Sequence, residues 1–284
     1  MNFFGLMFQS IHYKTRSLLS SLKLNTMSKH SKTRVNSLLI VDVQNDFITG
    51  TLSLRNCPSK HCGEDVIPTI NHLLATIKFD VIVYTQDWHP RTHISFYECI
   101  NLRKHLIADG SKIDASNAKL YDYIKFADVE QILWPAHCIQ NTTGAELHKD
   151  LHIIDNKTPS NHINKNTPVI RLHKGTDPDI DSYSAFWDNQ KISKTTLDSQ
   201  LKKLNVTDIY IAGIATDVCV YSTALHAAEL NYCTYVIEDA CRGVDENAIT
   251  EKLKDLEEHN CQIIKSNKVK AVIEGTQDQR EYKQ

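Results

Sequence analysis

The chain has 284 residues and is 41% hydrophobic, enough to bury the core of one large domain or two small ones. Of its 32 basic residues, six lie within residues 1–37, which hold no acidic residue, so the remainder carries 26 basic against 34 acidic residues, a net charge of about -8. This balance argues against a nucleic-acid surface and favours small neutral or polar ligands.

The cysteine pattern and the hydropathy indicate the compartment. Eight scattered cysteines do not resemble the dense framework of a small secreted domain, which favours a reduced, intracellular and most simply cytoplasmic protein. No apolar run approaches the roughly 20 residues that span a bilayer, so we expect a soluble protein without a membrane partner. The sequence leaves open whether it forms a homo-oligomer.

The two ends of the chain differ from the rest. Residues 1–37 are basic and rich in Ser, with apolar residues between the charges, which is compatible with a mitochondrial transit peptide. Equally, Met27 could be the start used in cells, or the segment could be a disordered extension without function. We therefore expect one domain over residues 38–276 and a polar tail over residues 277–284.

The first predicted strand is Leu38–Val41, a continuous apolar run typical of a central parallel strand that is covered on both faces. Asp42 follows it directly. A carboxylate after four buried aliphatic residues is costly unless it is paired, so an ordinary surface Asp is a poor reading here. Phe47, slightly further on, fits either the core or the wall of a pocket.

After a helical pattern over residues 66–77, the second predicted strand is Val81–Gln86, and Asp87-Trp88-His89 follows it. In extended chain, residues two apart point the same way, so Asp87 and His89 can converge on one ion. An oxygen and a nitrogen ligand favour Zn, Fe(II) or Mn. The motif alone is a weak signal, since many such pairs bind no metal.

Residues 97–131 are polar and show no sustained apolar period, so we interpret them as a long irregular insertion rather than a domain. Trp134-Pro135-Ala136-His137-Cys138 then predicts a loop that packs back on the body of the domain. His137 completes a metal site if the fold brings it to Asp87. Otherwise it is a hydrogen-bonded core histidine.

The third predicted strand, Pro168–Leu172, ends just before Lys174 and Gly175. The glycine allows another segment to approach closely, whereas the lysine by itself could equally be an ordinary surface residue. Aromatic residues over 183–187, beginning with Tyr183, could form the walls of a pocket for a flat ring.

The most informative stretch is an apolar run, Ile209–Ala212, followed by Gly213 and a helical pattern over residues 221–230. These features predict strand, turn and helix, with Thr216 or Asp217 as the N-cap. Cys219 would then lie in the helix's first turn, where the helix dipole favours a thiolate. The alternative is a buried structural cysteine.

Two further strands, Thr234–Ile237 and Cys261–Ile264, flank a predicted helix over about residues 245–259. Alternating strands and helices predict an α/β fold with a single doubly wound, mostly parallel sheet and helices on both faces. Open α/β sheets place their sites at the carboxyl ends of the strands. Four candidate side chains follow such ends: Asp42, Asp87, Lys174 and Cys219.

Together these motifs, spread over about residues 38–265, resemble the nicotinamidases of the isochorismatase-like cysteine hydrolase superfamily. The Asp, Lys and Cys motifs mark the superfamily, whereas Asp-x-His with Trp-Pro-x-His-Cys is more particular to nicotinamidases. The resemblance extends to the fold, which is the isochorismatase-like hydrolase fold. The basic extension and the insertion depart from the family pattern but leave the motifs intact.

The resemblance implies a role for each site residue. Asp42 matches the general base, Lys174 the catalytic lysine and Cys219 the nucleophile. The Ile214–Ala215 bond matches a cis peptide, and the amides of Ala215 and Cys219 match the oxyanion hole. The implied ligands of one divalent ion, zinc before iron or manganese, are Asp87, His89 and His137, with His93 as a ligand in part of the family. The implied pocket residues are Phe47, Trp134, Tyr183 and Ala215.

The activity implied by the resemblance is hydrolysis of nicotinamide to nicotinate and ammonia in NAD salvage, through a thioester on Cys219. One alternative is another small-amide or isochorismatase-type hydrolase, which would not need the metal ligands. The other is a non-catalytic binding protein, and the intact set of Asp42, Lys174 and Cys219 argues against it.

Overall fold

A computed structural model describes residues 34–127 and 129–275 of the chain. Most of the predicted extension and the predicted polar tail therefore lie outside the described residues. The strands are β1 (Asn36–Val41), β2 (Val81–Asp87), β3 (Tyr123–Phe126), β4 (Val129–Ile132), β5 (Val169–Lys174), β6 (Asp208–Ile214), β7 (Cys233–Arg242) and β8 (Gln262–Ile264). Six of them form one sheet in the order β5-β2-β1-β6-β7-β8, and every neighbouring pair in it is parallel.

Helices cover both faces of this sheet. They are α1 (Asn45–Ile48), α2 (Val66–Thr76), α3 (Leu197–Lys203), α4 (Tyr221–Glu229), α5 (Glu246–Glu258) and α6 (Ser266–Ile273). In β1, Leu38 and Ile40 pack in the cluster that contains α2 and α6, whereas Leu39 and Val41 pack with α3, α4 and α5. All four side chains are fully buried, and each such burial contributes about 1.5–3 kcal/mol. The predicted doubly wound α/β fold is confirmed.

The strand order reverses beside β1. The chain passes from β1 to β2 and β5 on one side and later returns to the other side with β6. Val41 at the end of β1 pairs with Gly213 of β6, so the segments that follow these two strands lie next to each other. In doubly wound sheets, this switch point is where ligands bind.

Several elements differ from the sequence-based expectation. β1 begins at Asn36 rather than Leu38, because the polar residues Asn36 and Ser37 are themselves buried. The segment 97–131 is not wholly irregular, since β3 and most of β4 form an antiparallel hairpin within it. Its side chains pack in a small cluster of their own. The hairpin was missed because four-residue strands are too short to give a sustained apolar period. The helix α6 was not predicted either.

Two further observations concern the described part of the chain. All eight cysteines lie within it and are free thiols. None of the helices described there combines the length and the apolar character needed to cross a bilayer.

Candidate active site

Lys174 lies at the centre of a buried group of polar side chains. Its Nζ is 2.9 Å from Oδ2 of Asp42, 2.5 Å from Oδ1 of Asp87 and 3.3 Å from Sγ of Cys219. It also donates to the backbone carbonyl of Ser182 at 3.1 Å. Lys174 is only 2% exposed, so it is not a surface lysine. The parallel sheet produces this grouping because β1, β2 and β5 are adjacent and end at the same edge.

Burial and charge set the protonation of this group. Burial opposes the charge of Lys174, but Asp42 and Asp87 outweigh it and raise the lysine pKa well above its usual value. Burial raises the pKa of Asp42 to about 6, although Lys174 and the Thr85 hydroxyl, which donates to Oδ1 at 2.6 Å, favour the carboxylate. At neutral pH, Asp42 is therefore an ionised carboxylate that can still take up a proton readily.

Cys219 rests as a neutral thiol. Burial raises its pKa well above the usual value, and the nearby ammonium of Lys174 opposes this only in part. The expectation that the helix end favours a resting thiolate is therefore wrong, because it considered the helix and not the burial. Sγ lies within 4.8 Å of carboxylate oxygens of Asp42 and Asp87. A base is thus available to take the thiol proton as the sulfur reacts.

The nucleophile-bearing turn differs from the predicted helix start. Residues Thr216–Val220 form a π-helical turn that continues into α4, and Ala215 takes the N-cap position without a side-chain cap. Asp217 instead accepts the backbone N–H groups of Val244 and Asp245, at 2.8 and 3.0 Å. The Ile214–Ala215 peptide bond is cis, as the resemblance implied.

Asp87, His89 and His137 form a second group, whose candidate ligand atoms all lie within 4.8 Å of one another. Nδ1 of His89 contacts the carbonyl of Gly175 and Nδ1 of His137 that of Pro135, each at 2.8 Å. A carbonyl can only accept, so each Nδ1 carries the proton and each Nε2 keeps its lone pair. Both Nε2 atoms face Oδ2 of Asp87, at 3.7 and 4.0 Å. This buried set of one oxygen and two nitrogen donors fits a divalent first-row metal.

Electrostatics support this fit. Burial disfavours the charge of Asp87, but Lys174 and His89 more than offset it and lower the pKa of the carboxyl. Burial lowers the pKa of His137 to about 4, so this imidazole is neutral, as a metal ligand must be. His89 differs, because Asp87 outweighs the effect of burial and raises its pKa, so a proton competes with a metal ion for Nε2 of His89. Gly175 also leaves room for His89, because a Cβ there would lie 2.3 Å from the imidazole Cε1.

His93 lies beside this group. Its ring stacks on that of His89 with centroids 4.1 Å apart, and it forms a separate possible ligand set with His89 and Asp181. Its Nε2 makes no hydrogen bond among the described residues and is 4.0 Å from Oδ1 of Asp181. Burial lowers the pKa of His93 to about 3. Its assignment as a further ligand stays a prediction.

A single pocket joins the thiol to the Asp-His-His group. Its lining includes all four predicted pocket residues: Phe47, Trp134, Tyr183 and Ala215. Trp134 donates from its indole N–H to the Tyr183 hydroxyl at 3.2 Å. The lining also contains residues that the sequence did not single out: Leu52, Leu54, Asp181, Val218 and Val244. A flat, mostly apolar ligand with one polar end toward Cys219 and another toward His89 would match these walls.

Three supporting residues were also missed. Thr85 holds Asp42, and Gln131 of the hairpin donates from Nε2 to Asp181 at 2.9 Å. Gln44 accepts the backbone N–H of Asp87 and donates to its carbonyl, both at 2.8 Å. Only Gln44 left a signal in the sequence, since it lies two residues after Asp42, in the tight turn that follows β1.

The chain is similar to proteins of known activity and structure. The isochorismatase domain family matches residues 36–268. A nicotinamidase from Acinetobacter baylyi is 37% identical over 212 residues, which cover 74% of this chain and 83% of that protein. The structure of the yeast nicotinamidase bound to the inhibitor nicotinaldehyde is 30% identical, with a TM-score of 0.63, and the match covers 81% of this chain and all of that one. A Pyrococcus horikoshii pyrazinamidase in complex with zinc is 28% identical, with a TM-score of 0.57, covering 81% of this chain and 98% of that one.

Proposed function

The chain belongs to the isochorismatase domain family, and from this premise we propose that it is a nicotinamidase, which hydrolyses nicotinamide to nicotinate and ammonia. One observation carries the proposal: a thiol with an adjacent base and a possible metal group occupy the same apolar pocket. An aromatic ring that contains a nitrogen atom and carries an amide has two polar groups. The amide can face the thiol of Cys219, and the ring nitrogen can face the possible metal group. The nicotinaldehyde bound to the yeast relative is an electrophilic analogue of such an amide.

In the first half of the proposed reaction, Asp42 accepts the thiol proton while Sγ of Cys219 attacks the amide carbon. The oxyanion that forms is held by the backbone N–H groups of Ala215 and Cys219. Asp42 then returns the proton to the amide nitrogen as the C–N bond breaks. Ammonia leaves, and the acyl group remains on Cys219 as a thioester.

In the second half, Asp42 accepts a proton from a water molecule, whose oxygen attacks the thioester carbon. The C–S bond breaks, the proton on Asp42 returns to Cys219, and the product leaves as nicotinate once its carboxyl group has lost its own proton to solvent. The ammonium of Lys174 lies within 3.3 Å of both reacting side chains, so it stabilises negative charge on either of them.

Asp87, His89 and His137 would hold the metal, with zinc the first candidate and iron or manganese the alternatives. When bound, a divalent ion supplies a Lewis acid that can take a lone pair from the pyridine nitrogen of the substrate. Phe47, at one wall of the pocket, and Trp134 supply apolar and aromatic surface for the ring. The zinc bound to the Pyrococcus relative supports this choice of ion.

The decisive experiment measures ammonia release from nicotinamide, pyrazinamide, benzamide and a set of aliphatic amides by the purified protein, with Cys219→Ala as the control. We expect turnover of nicotinamide and pyrazinamide, little turnover of benzamide, which lacks the ring nitrogen, and none by the variant. If the protein instead preferred an aliphatic amide, and if chelators did not change the rate of ammonia release, the result would indicate another kind of amidohydrolase. Binding of nicotinamide without ammonia release would indicate a non-catalytic protein.

A further inference from the structure

Asp46 is a buried carboxylate that the proposed reaction does not use. It lies in α1 and is 8% exposed. Its Oδ2 accepts the backbone N–H of Cys138 at 2.7 Å, and its Oδ1 accepts that of Thr51 at 3.2 Å. We propose that Asp46 is a positioning residue that fixes the two histidine ligands relative to each other and thereby sets the affinity of the metal site. The inference rests on the proposed function.

The link from Asp46 to the histidines runs through one residue. Cys138 directly follows His137 and has a left-handed backbone, with φ 45°, which few residues other than Gly, Asn and Asp adopt readily. Its carbonyl accepts the backbone N–H of His89 at 3.0 Å, and Gln140 donates back to the carbonyl of His89 at 2.9 Å. Cys138 is thus held at its N–H by Asp46 and at its carbonyl by His89. A shift of the Asp46 carboxylate would therefore move the histidines relative to each other.

Two glycines lie directly against the Asp46 carboxylate. A Cβ at Gly144 would lie 2.2 Å from Oδ2 of Asp46, and a Cβ at Gly50 would lie 2.2 Å from Oδ1. Two glycines from separate segments therefore leave the space that this side chain fills. An Asn at position 46 would present one acceptor oxygen and one NH₂ group to the two backbone donors, so it would keep the shape but not both hydrogen bonds.

A general structural role is the competing explanation, and Asp188 provides a matched control. It is also buried, at 5% exposed, and it also accepts backbone N–H groups, from Gln190 at 2.8 Å and Ile192 at 3.1 Å. It contacts neither histidine ligand. If Asp46 acted only through stability, Asp46→Asn and Asp188→Asn would change metal affinity equally little.

The test measures zinc affinity of the full-length protein by competition with a chromophoric chelator, together with the unfolding temperature of the zinc-free protein. We expect Asp46→Ala to weaken zinc binding by about 10–100-fold, the usual effect of losing a residue that supports metal ligands. Asp46→Asn and Gly144→Ala, which disturb the same carboxylate in different ways, should weaken it by about tenfold. Asp188→Asn should remain within about twofold of the unmodified protein.

Zinc affinity within about twofold of the unmodified protein in both Asp46→Asn and Gly144→Ala would overturn the inference, even if Asp46→Ala failed to fold. A loss of affinity in Asp188→Asn as large as in Asp46→Asn would also overturn it. If the unmodified protein bound neither zinc nor iron nor manganese, the proposed metal site itself would fail. If it bound zinc and released ammonia while the variants matched it in affinity, only the positioning role of Asp46 would fail.

Discussion

Thr85→Val should shift the pH dependence of the reaction, because the Thr85 hydroxyl stabilises the ionised form of Asp42. Valine keeps the shape of threonine but cannot donate to Oδ1 of Asp42, where the present hydrogen bond is 2.6 Å long. A hydrogen bond to a charged group contributes about 1.5–3 kcal/mol. At about 1.36 kcal/mol per pKa unit, its loss raises the pKa of Asp42 by about one to two units.

The direction and size of the effect follow from the pKa of about 6 for Asp42. Only the carboxylate form acts as the base, so kcat/KM should fall about tenfold per pH unit below this pKa. In Thr85→Val, the fall should begin between about pH 7 and 8 instead. At pH 7 the variant should lose about two- to tenfold in kcat/KM, and at pH 9 it should recover to within about twofold of the unmodified enzyme.

The assay is the pH profile of kcat/KM for ammonia release, measured from pH 5 to 9.5 with the metal at saturation. Thr85→Ser is the matched control, because it keeps the hydroxyl. The fall of kcat/KM on the acid side of its pH profile, the acid limb, should therefore stay near pH 6. An acid limb that stays at the same pH in Thr85→Val, with kcat/KM reduced equally at every pH, would refute the argument. The hydroxyl would then matter for packing rather than for the charge of Asp42.

Three further predictions concern the nucleophile, the metal and the chain start. Mass spectrometry after treatment with a pyridine aldehyde or nitrile should place the adduct on Cys219, and an adduct on another cysteine would contradict the mechanism. His137→Ala should lower metal content, measured by elemental analysis, and raise the KM for nicotinamide; unchanged metal content would exclude His137 as a ligand. A chain beginning at Ser37 should unfold roughly 5–10 °C below one beginning at Arg34, a loss of about 2–3 kcal/mol, because it lacks Asn36 of β1 and leaves Asp208 buried without its ion pair to Arg34. Equal unfolding temperatures for the two chains would contradict this.

Much of the site could be predicted because its residues lie at strand ends. Asp42 follows a fully buried strand, where an unpaired charge is too costly, and the structure supplies Lys174 as its partner. Asp87 and His89 are two residues apart in extended chain, which is enough to predict that they converge. In each case the local pattern and the parallel sheet together determine the position.

The residues that were missed depend on long-range contacts. Thr85 reaches Asp42 only because β1 and β2 are neighbours in register, a pairing that no local pattern contains. Arg34 joins Asp208, 174 residues further along the chain. Gln131 reaches Asp181 from a hairpin too short to show a period. The predicted thiolate at Cys219 was wrong for a similar reason. Its burial raises the pKa, and that burial results from contacts across the whole fold, which no local pattern contains.

The position of Lys174 between Asp42 and Cys219 bears on how charge is solvated during the reaction. When the thiol proton passes to Asp42, one negative charge moves from a carboxylate to a sulfur, and both atoms lie within 3.3 Å of the same ammonium. The total charge of the site does not change, so little dipole reorganisation is needed and bulk water has no part in stabilising the ion pair. Mobile salt ions screen exposed charges far more than buried ones. The acylation rate should therefore be almost independent of ionic strength.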